Sequence, residues 1–288
     1  MATSDFFGLS LAIVLPISLV FGLLVGSFLN VVIYRLPLQL SSAWKRDAID
    51  FLGLEPAPPP QRVNIVFPAS HCPKCGAKIK PWQNIPLISY LLLKGRCAHC
   101  ATPISLQYPL VELVCGLMTA FVIYRFGLTP EGALALMFSW SLLALTGIDF
   151  NEQLLPDNIT LPLLWLGLLV NLRVTFATLD SAVLGAVFGY LSLWWVFWLF
   201  KLLTGKEGMG HGDFKLLAAL GAWLGWQQLL LIILLSSLVG AVVGLALILI
   251  AGRDRQIPIP FGPYLAAAGW IAFMWGEQIT NNYLSLFG

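Results

Sequence analysis

A chain of 288 residues has room for one or two water-soluble domains, yet 58% of it is hydrophobic and only 10% charged, against roughly 25% charged in an ordinary globular protein. With a mean hydropathy of +0.84, most of its surface must be solvated by lipid. A net charge of +2 excludes a globally basic nucleic-acid binder, so no nucleic acid is expected as a partner, and five cysteines are too few for a disulfide scaffold.

Stretches free of Asp, Glu, Lys and Arg predict an all-α polytopic membrane protein. About eight transmembrane helices fall near 7–33, 109–126, 131–148, 157–173, 180–203, 214–225, 228–251 and 262–285. The charge-free run 216–252 is too long for one helix, and Gly225, Trp226, Gln227 and Gln228 offer a turn inside it. Met1 to Asp5 carry no Lys or Arg, and the following apolar run exceeds a signal-peptide core, so the first segment is expected to remain as a helix. With these spans, all but two of the 16 Lys and Arg residues fall on one face, leaving Arg125 and Arg173 on the other. The rich face is therefore expected to be cytoplasmic.

Between spans one and two lies a polar insertion, residues 35–108. It separates a first helix (1–34) from a seven-helix membrane domain (109–288). Its nine basic residues outnumber Asp47, Asp50 and Glu55, as suits a loop lying against anionic headgroups of the lipid bilayer. Glu55 to Pro60 reads as a stiff extended stretch. The insertion carries Cys72-x-x-Cys75 and Cys97-x-x-Cys100. Two residues between cysteines let one tight turn aim both thiolates at one metal, and four thiolates complete a closed tetrahedral shell. A structural Zn2+ is the expected occupant, held by Cys72, Cys75, Cys97 and Cys100. The alternatives are two disulfides, which a cytoplasmic loop disfavours, or a redox pair, for which the surrounding βαβ pattern is missing. Cys115, in a span, reads as a small buried apolar residue.

Two acidic segments sit beside apolar helices at the expected cytoplasmic face. One is Gly147-Ile148-Asp149 through Pro156-Asp157; the other is Gly208-Met209-Gly210-His211-Gly212-Asp213. Asp149 ends one span and Asp213 starts another, so packing could bring them face to face. Two adjacent carboxylates share a proton, one serving as general base on water and the other as acid. Gly210 and Gly212 would let an extended peptide approach closely. Asp157, at a helix start, reads as an interfacial acid. From the residues alone, an aspartyl protease, an ion-coupled transporter and a non-catalytic scaffold all stay open.

The Gly210-His211-Gly212-Asp213 stretch resembles the G-x-G-D signature of membrane aspartyl proteases, and Gly208 to Lys215 resembles that of type IV prepilin peptidases. Asp149 with Leu155-Pro156-Asp157 is similar to their other aspartate motif. Gly26 to Pro37, Asn84 to Leu87 and Tyr108 to Glu112 are similar to their N-terminal blocks; Gln107 departs from the Arg often found there. This resemblance implies a bifunctional enzyme of the bacterial inner membrane. It implies that Asp149 and Asp213 cleave basic leaders from prepilins and type II secretion pseudopilins, after Gly and often before Phe. S-adenosyl-L-methionine would then methylate the new amine. Gly95 and Glu112 are candidates for the methyl-transfer site, against bland readings as a turn glycine and a helix N-terminal acid. A peptidase without methyl transfer is the nearer alternative.

Overall fold

The computed structural model describes residues 10–54, 64–206, 208–250 and 259–285. The expectations for Met1–Asp5, for Glu55–Pro60 and for Arg62, Arg253 and Arg255 lie outside the described residues. An apolar chain in lipid must satisfy its own backbone, and helices are how this one does so. In order they are α1 (Leu11–Leu52), α2 (Ile88–Leu92), α3 (Gln107–Phe126), α4 (Pro130–Glu152), α5 (Asp157–Asn171), α6 (Leu179–Thr204), α7 (His211–Leu224), α8 (Leu229–Leu249) and α9 (Gly262–Leu284). Among the described residues there is no strand, only the isolated bridges His71–Lys78 and Arg96–Pro103.

A helix stands at each of the eight apolar segments. Five of these, α1, α3, α4, α6 and the stretch Trp226–Leu249 that contains α8, are long and apolar enough to cross a membrane. At 15 and 14 residues, α5 and α7 reach only about 20 Å, short of a hydrocarbon core of about 30 Å. By contrast α1 continues well beyond its apolar part and ends at Gly53 in the left-handed conformation.

The chain divides into two compact units, 1–144 and 145–288, with the boundary inside α4. In the first, α1 packs along α3. Lipid gives helices no hydrophobic reason to associate, so close contact must do the work. Gly22 and Gly26 of α1 supply it: a Cβ on Gly22 would lie 2.6 Å from the Thr119 side chain, and one on Gly26 would lie 2.7 Å from the Glu112 backbone.

In the second unit, α7 packs against α5, α6 and α9. Its residues Phe214, Leu216, Leu217, Leu220 and Trp223 are fully buried, so this short helix is a core element rather than a lipid-facing one. The four last carbonyls of a helix need partners, and here a buried side chain provides two. Asn171 donates from Nδ2 to the carbonyls of Ala222 and Trp223 and accepts from the amides of Phe176 and Ala177. The Trp223 Nε1–H donates to the Leu163 carbonyl at 2.8 Å. On the other flank Gly185 and Gly189 of α6 meet the α7 backbone at Gly221 and Leu217.

A methyl group at position 185 would strike the Gly221 carbonyl. Gly185→Ala is therefore expected to destabilise the protein by ~1–3 kcal/mol, the usual cost of overpacking. Val187→Ala, on an exposed position of the same helix, should have a much smaller effect. Detergent melting curves of the two variants check the contrast.

Candidate active site

Asp149 sits in the last turn of α4 and Asp213 in the first turn of α7, and their side chains are only 5% and 6% exposed. Asp213 is close enough to feel the charge of Asp149. Asp149 Oδ2 accepts a hydrogen bond from the Gly262 amide at 3.0 Å. Gly262 opens α9, so this amide is one of the donors a helix start leaves unused. Asp213 is held differently. The Gly210 amide lies against its carboxylate, while its Oδ1 is buried and has no protein hydrogen-bond partner. A buried polar atom left unsatisfied costs ~1–3 kcal/mol, and such atoms mark places where water or a ligand oxygen belongs.

The two sequence-predicted aspartates are thus brought together. Leu155 binds the three helix ends into one cluster. A Cβ on Gly212 would sit 2.7 Å from its Cβ, and one on Gly262 would sit 3.1 Å from its Cδ2. The bare face of Gly212 is therefore used against Leu155, whereas a Cβ on Gly210 would meet nothing nearer than the Asp213 carboxylate at 3.6 Å. The imidazole of His211 packs at a tilt against Phe197 and Phe214, with ring centroids 5.1 and 5.5 Å away. These rings seat the start of α7 on α6.

Asp157 is set apart from this pair. It is half exposed and takes both carboxylate oxygens to Lys215 Nζ, at 2.7 and 2.8 Å. The interfacial acid expected from the sequence is also a clamp between the starts of α5 and α7. Gly262 was not legible as a site residue. Its only sequence signal is the Pro260-Phe261-Gly262-Pro263 run at the opening of the last helix.

In the first unit the four paired cysteines converge. One sulfur from each of Cys72, Cys75, Cys97 and Cys100 lies within 4.8 Å of the others, and the Cys72 and Cys100 sulfurs are 3.8 Å apart. Four thiolates at 2.3 Å from one zinc would be spaced by about 3.8 Å, so the group could hold a metal. Two matching turns build it. The Cys72 amide bonds the Ala77 carbonyl and the Gly76 amide bonds the Cys72 carbonyl; Cys97, Thr102 and Ala101 repeat the same bonds. The Thr102 hydroxyl pulls the Cys100 thiol down to about 6, and the Cys75 and Lys74 amides lower Cys72. Although the Ala77 amide favours the Cys75 thiolate, burial and the other three sulfurs push its thiol up to about 11. Four sulfurs this close cannot all ionise without a cation among them, which is the chemistry of a metal-ligand set. His71 and His99 stay outside the group.

Gly95 and Glu112 have structural partners. Gly95 turns the chain at φ +66° with the Tyr90 hydroxyl filling the space beside it. Glu112 is buried in α3, accepts from the Leu87 amide at 2.9 Å and has the Ser27 hydroxyl as a second partner. Two further polar anchors flank this region. Asn30 donates to the Tyr108 carbonyl and Arg35 to the Asn64 carbonyl, both at 3.0 Å. Glu112→Ala would strand the Leu87 amide, at a cost of ~1–3 kcal/mol. Limited proteolysis in detergent is expected to cut the variant faster between residues 64 and 106 while α3 stays intact.

The comparisons with known proteins match two regions of the chain. Residues 20–126 match the model of the bacterial peptidase A24 N-terminal domain, and residues 136–245 match that of the type IV leader peptidase family. The prepilin leader peptidase/N-methyltransferase of Pseudomonas aeruginosa is 57% identical over 94% of this chain and 93% of its own. Its namesake in Stutzerimonas stutzeri is 56% identical over 93% of this chain and 92% of its own, and that of Pseudomonas putida is 53% identical over 98% of each. No solved structure matches. With both aspartates inside the matched peptidase region and likeness running along nearly the whole chain, the protein belongs to the type IV leader peptidase family.

Proposed function

We propose that this chain is a bifunctional prepilin leader peptidase and N-methyltransferase, and that Asp149 and Asp213 are its catalytic pair. The observation that carries the reading is the buried pair of carboxylates at two helix ends, one tied to a backbone amide and the other with a free oxygen. In hydrolysis, one carboxylate removes a proton from water as it attacks the scissile carbonyl. The other gives its proton to the carbonyl oxygen, so the tetrahedral intermediate forms without a covalent enzyme bond. The amide of Gly262 keeps the Asp149 carboxylate in one orientation throughout. Of the two glycines expected to bind substrate, Gly210 has the open face that would line the approach of an extended peptide, while Gly212 spends its bare face on Leu155.

The topology that goes with this reading has eight membrane helices, with α5, α7 and α9 added to the five that qualify by length and hydropathy. Residues 35–108, including the polar end of α1, form a cytoplasmic insertion between residues 1–34 and the seven-helix protease domain 109–288. The enzyme then sits in the bacterial inner membrane with its active site at the cytoplasmic face and acts on prepilins and pseudopilins. Zn2+ held by Cys72, Cys75, Cys97 and Cys100 would be structural, because a shell of four thiolates has no position for water. S-adenosyl-L-methionine supplies the methyl group for the freed amine. The likeness to the named relatives supports that second activity.

Purified protein mixed with a prepilin peptide is expected to release the leader, as followed by mass. Asp149→Asn and Asp213→Asn should each lower cleavage by at least ~10²-fold, the scale of general acid–base catalysis. The double variant should lose little more, because groups acting as a unit are not additive. Asp157→Asn should keep substantial cleavage and forfeit no more than ~1 kcal/mol of stability, as for an exposed ion pair. Near-normal cleavage by Asp213→Asn would overturn the reading.

Metal analysis is expected to find about one zinc per chain. Cys72→Ser with Cys75→Ser should abolish it and make the insertion open to protease, since binding energy here is folding energy.

A further inference from the structure

The stretch that joins the two cysteine turns has an apolar face that neither the metal group nor the helix pair α1 and α3 covers. It runs from a single helical turn at Pro81–Asn84 into the five-residue α2. One side of α2 is fixed to protein. The Leu87 amide donates to Glu112 of α3, the Ser89 hydroxyl donates to the Ile85 carbonyl, and the Tyr90 hydroxyl fills the space beside Gly95. The other side carries Ile88, Leu91 and Leu92, whose spacing makes them neighbours on one helix face. Leu91 and Leu92 are 74% and 69% exposed, and Trp82 and Ile85 are exposed just before them.

Depth decides what meets this face. The 20 residues of α3 span about 30 Å, the whole thickness of a hydrocarbon core, so Glu112 lies about 7 Å inside the start of that helix. Helix α1 agrees, since its Gly26 stands against the Glu112 backbone well before Arg35, the first charged residue on α1. A segment tied to the Glu112 side chain is thus held at the level of lipid rather than of bulk water. Backbone at that level must be paired within the protein, and the amides of Leu87, Ser89, Leu91 and Leu93 all are. Charge complements the placement. Lys80 precedes the stretch, Lys94 and Arg96 follow it, all three are exposed, and no acidic residue stands between Glu55 and Glu112. Long basic side chains at both ends of an apolar stretch reach back to headgroups while their stems stay in the apolar layer.

We infer that α2 is a re-entrant lipid anchor. Its Ile88, Leu91 and Leu92 face lies among acyl chains, beneath headgroup phosphates that Lys80, Lys94 and Arg96 reach. Net charge alone would lay residues 35–108 on top of the bilayer; the anchor takes one helix of that insertion into it. The inference rests on the membrane crossing of α1 and α3 and is independent of the peptidase chemistry. Its effect is positional. The Cys72–Cys75 turn leads into the anchor and the Cys97–Cys100 turn leaves it, so the height of the cysteine group above the membrane is set by lipid on one side of α2 and by Glu112 on the other.

Full-length protein carrying photoreactive p-benzoylphenylalanine in place of Leu91 or Leu92 is reconstituted into vesicles of phosphatidylethanolamine and phosphatidylglycerol, irradiated and weighed intact. The same group in place of Leu117, exposed on α3, is the lipid reference, and in place of Ala48, exposed on the polar end of α1, the water reference. Positions 91 and 92 are each expected to give phospholipid adducts within about twofold of position 117 and at least about fivefold above position 48, as for an apolar helix face buried in the interface. Adducts no higher than at position 48, or a second copy of the chain cross-linked in place of lipid, would overturn the anchor. No lipid adduct even at position 117 would remove the membrane crossing of α3 and the anchor with it. The two positions are independent, so either serves if the other lowers expression.

Discussion

Much in the second unit depends on holding a 14-residue helix that is shorter than a hydrocarbon core and buried among protein rather than lipid. Helix α7 survives because its neighbours approach its backbone directly. Gly185 and Gly189 bring α6 against Gly221 and Leu217, Trp223 is fully enclosed, and Asn171 takes up carbonyls at the C-terminal end. Where association cannot draw on the hydrophobic effect, contact area and satisfied hydrogen bonds must replace it. The result is a helix whose N-terminal end is fixed in place, and that end carries Asp213.

The site itself is built from helix termini. A helix interior has no backbone hydrogen bonds to spare, whereas its first turn has unclaimed amides. The last turn of α4 contributes Asp149, the first turn of α7 contributes Asp213, and the first amide of α9 fixes Asp149. Leu155 fills the space between these ends and keeps them in register. The two carboxylates consequently live in unlike surroundings, one with a backbone donor and one with an open oxygen. Division of labour between chemically identical groups needs such an asymmetry.

Much of this was readable from the chain. Charge-free runs located the eight helices because lipid forces apolar stretches into a single kind of structure. The spacing of Cys72, Cys75, Cys97 and Cys100 anticipated their convergence because a two-residue gap closes a local turn. Asp149 and Asp213 stood out because charge near a membrane core is expensive. Gly262 did not, since its contribution is a main-chain N–H and every residue but proline has one. Glu112 stood out only as a candidate for methyl transfer; that its carboxylate holds the Leu87 amide, 25 positions away in the chain, was not legible. The Asp157–Lys215 clamp joins residues 58 positions apart, a pairing that only the tertiary fold decides.

The two cysteine turns are copies in their hydrogen bonds but not in their strain. Gly76 takes the left-handed conformation of the first at φ +69°, without penalty; Ala101 takes the corresponding place in the second at φ +55°. A β-carbon there costs roughly 1–2 kcal/mol. The half built by Cys97 and Cys100 is thus under tension that the other half is not, and opening it releases energy. A metal held by all four sulfurs would therefore have to offset a strain in the 97–102 turn that the 72–76 turn does not carry.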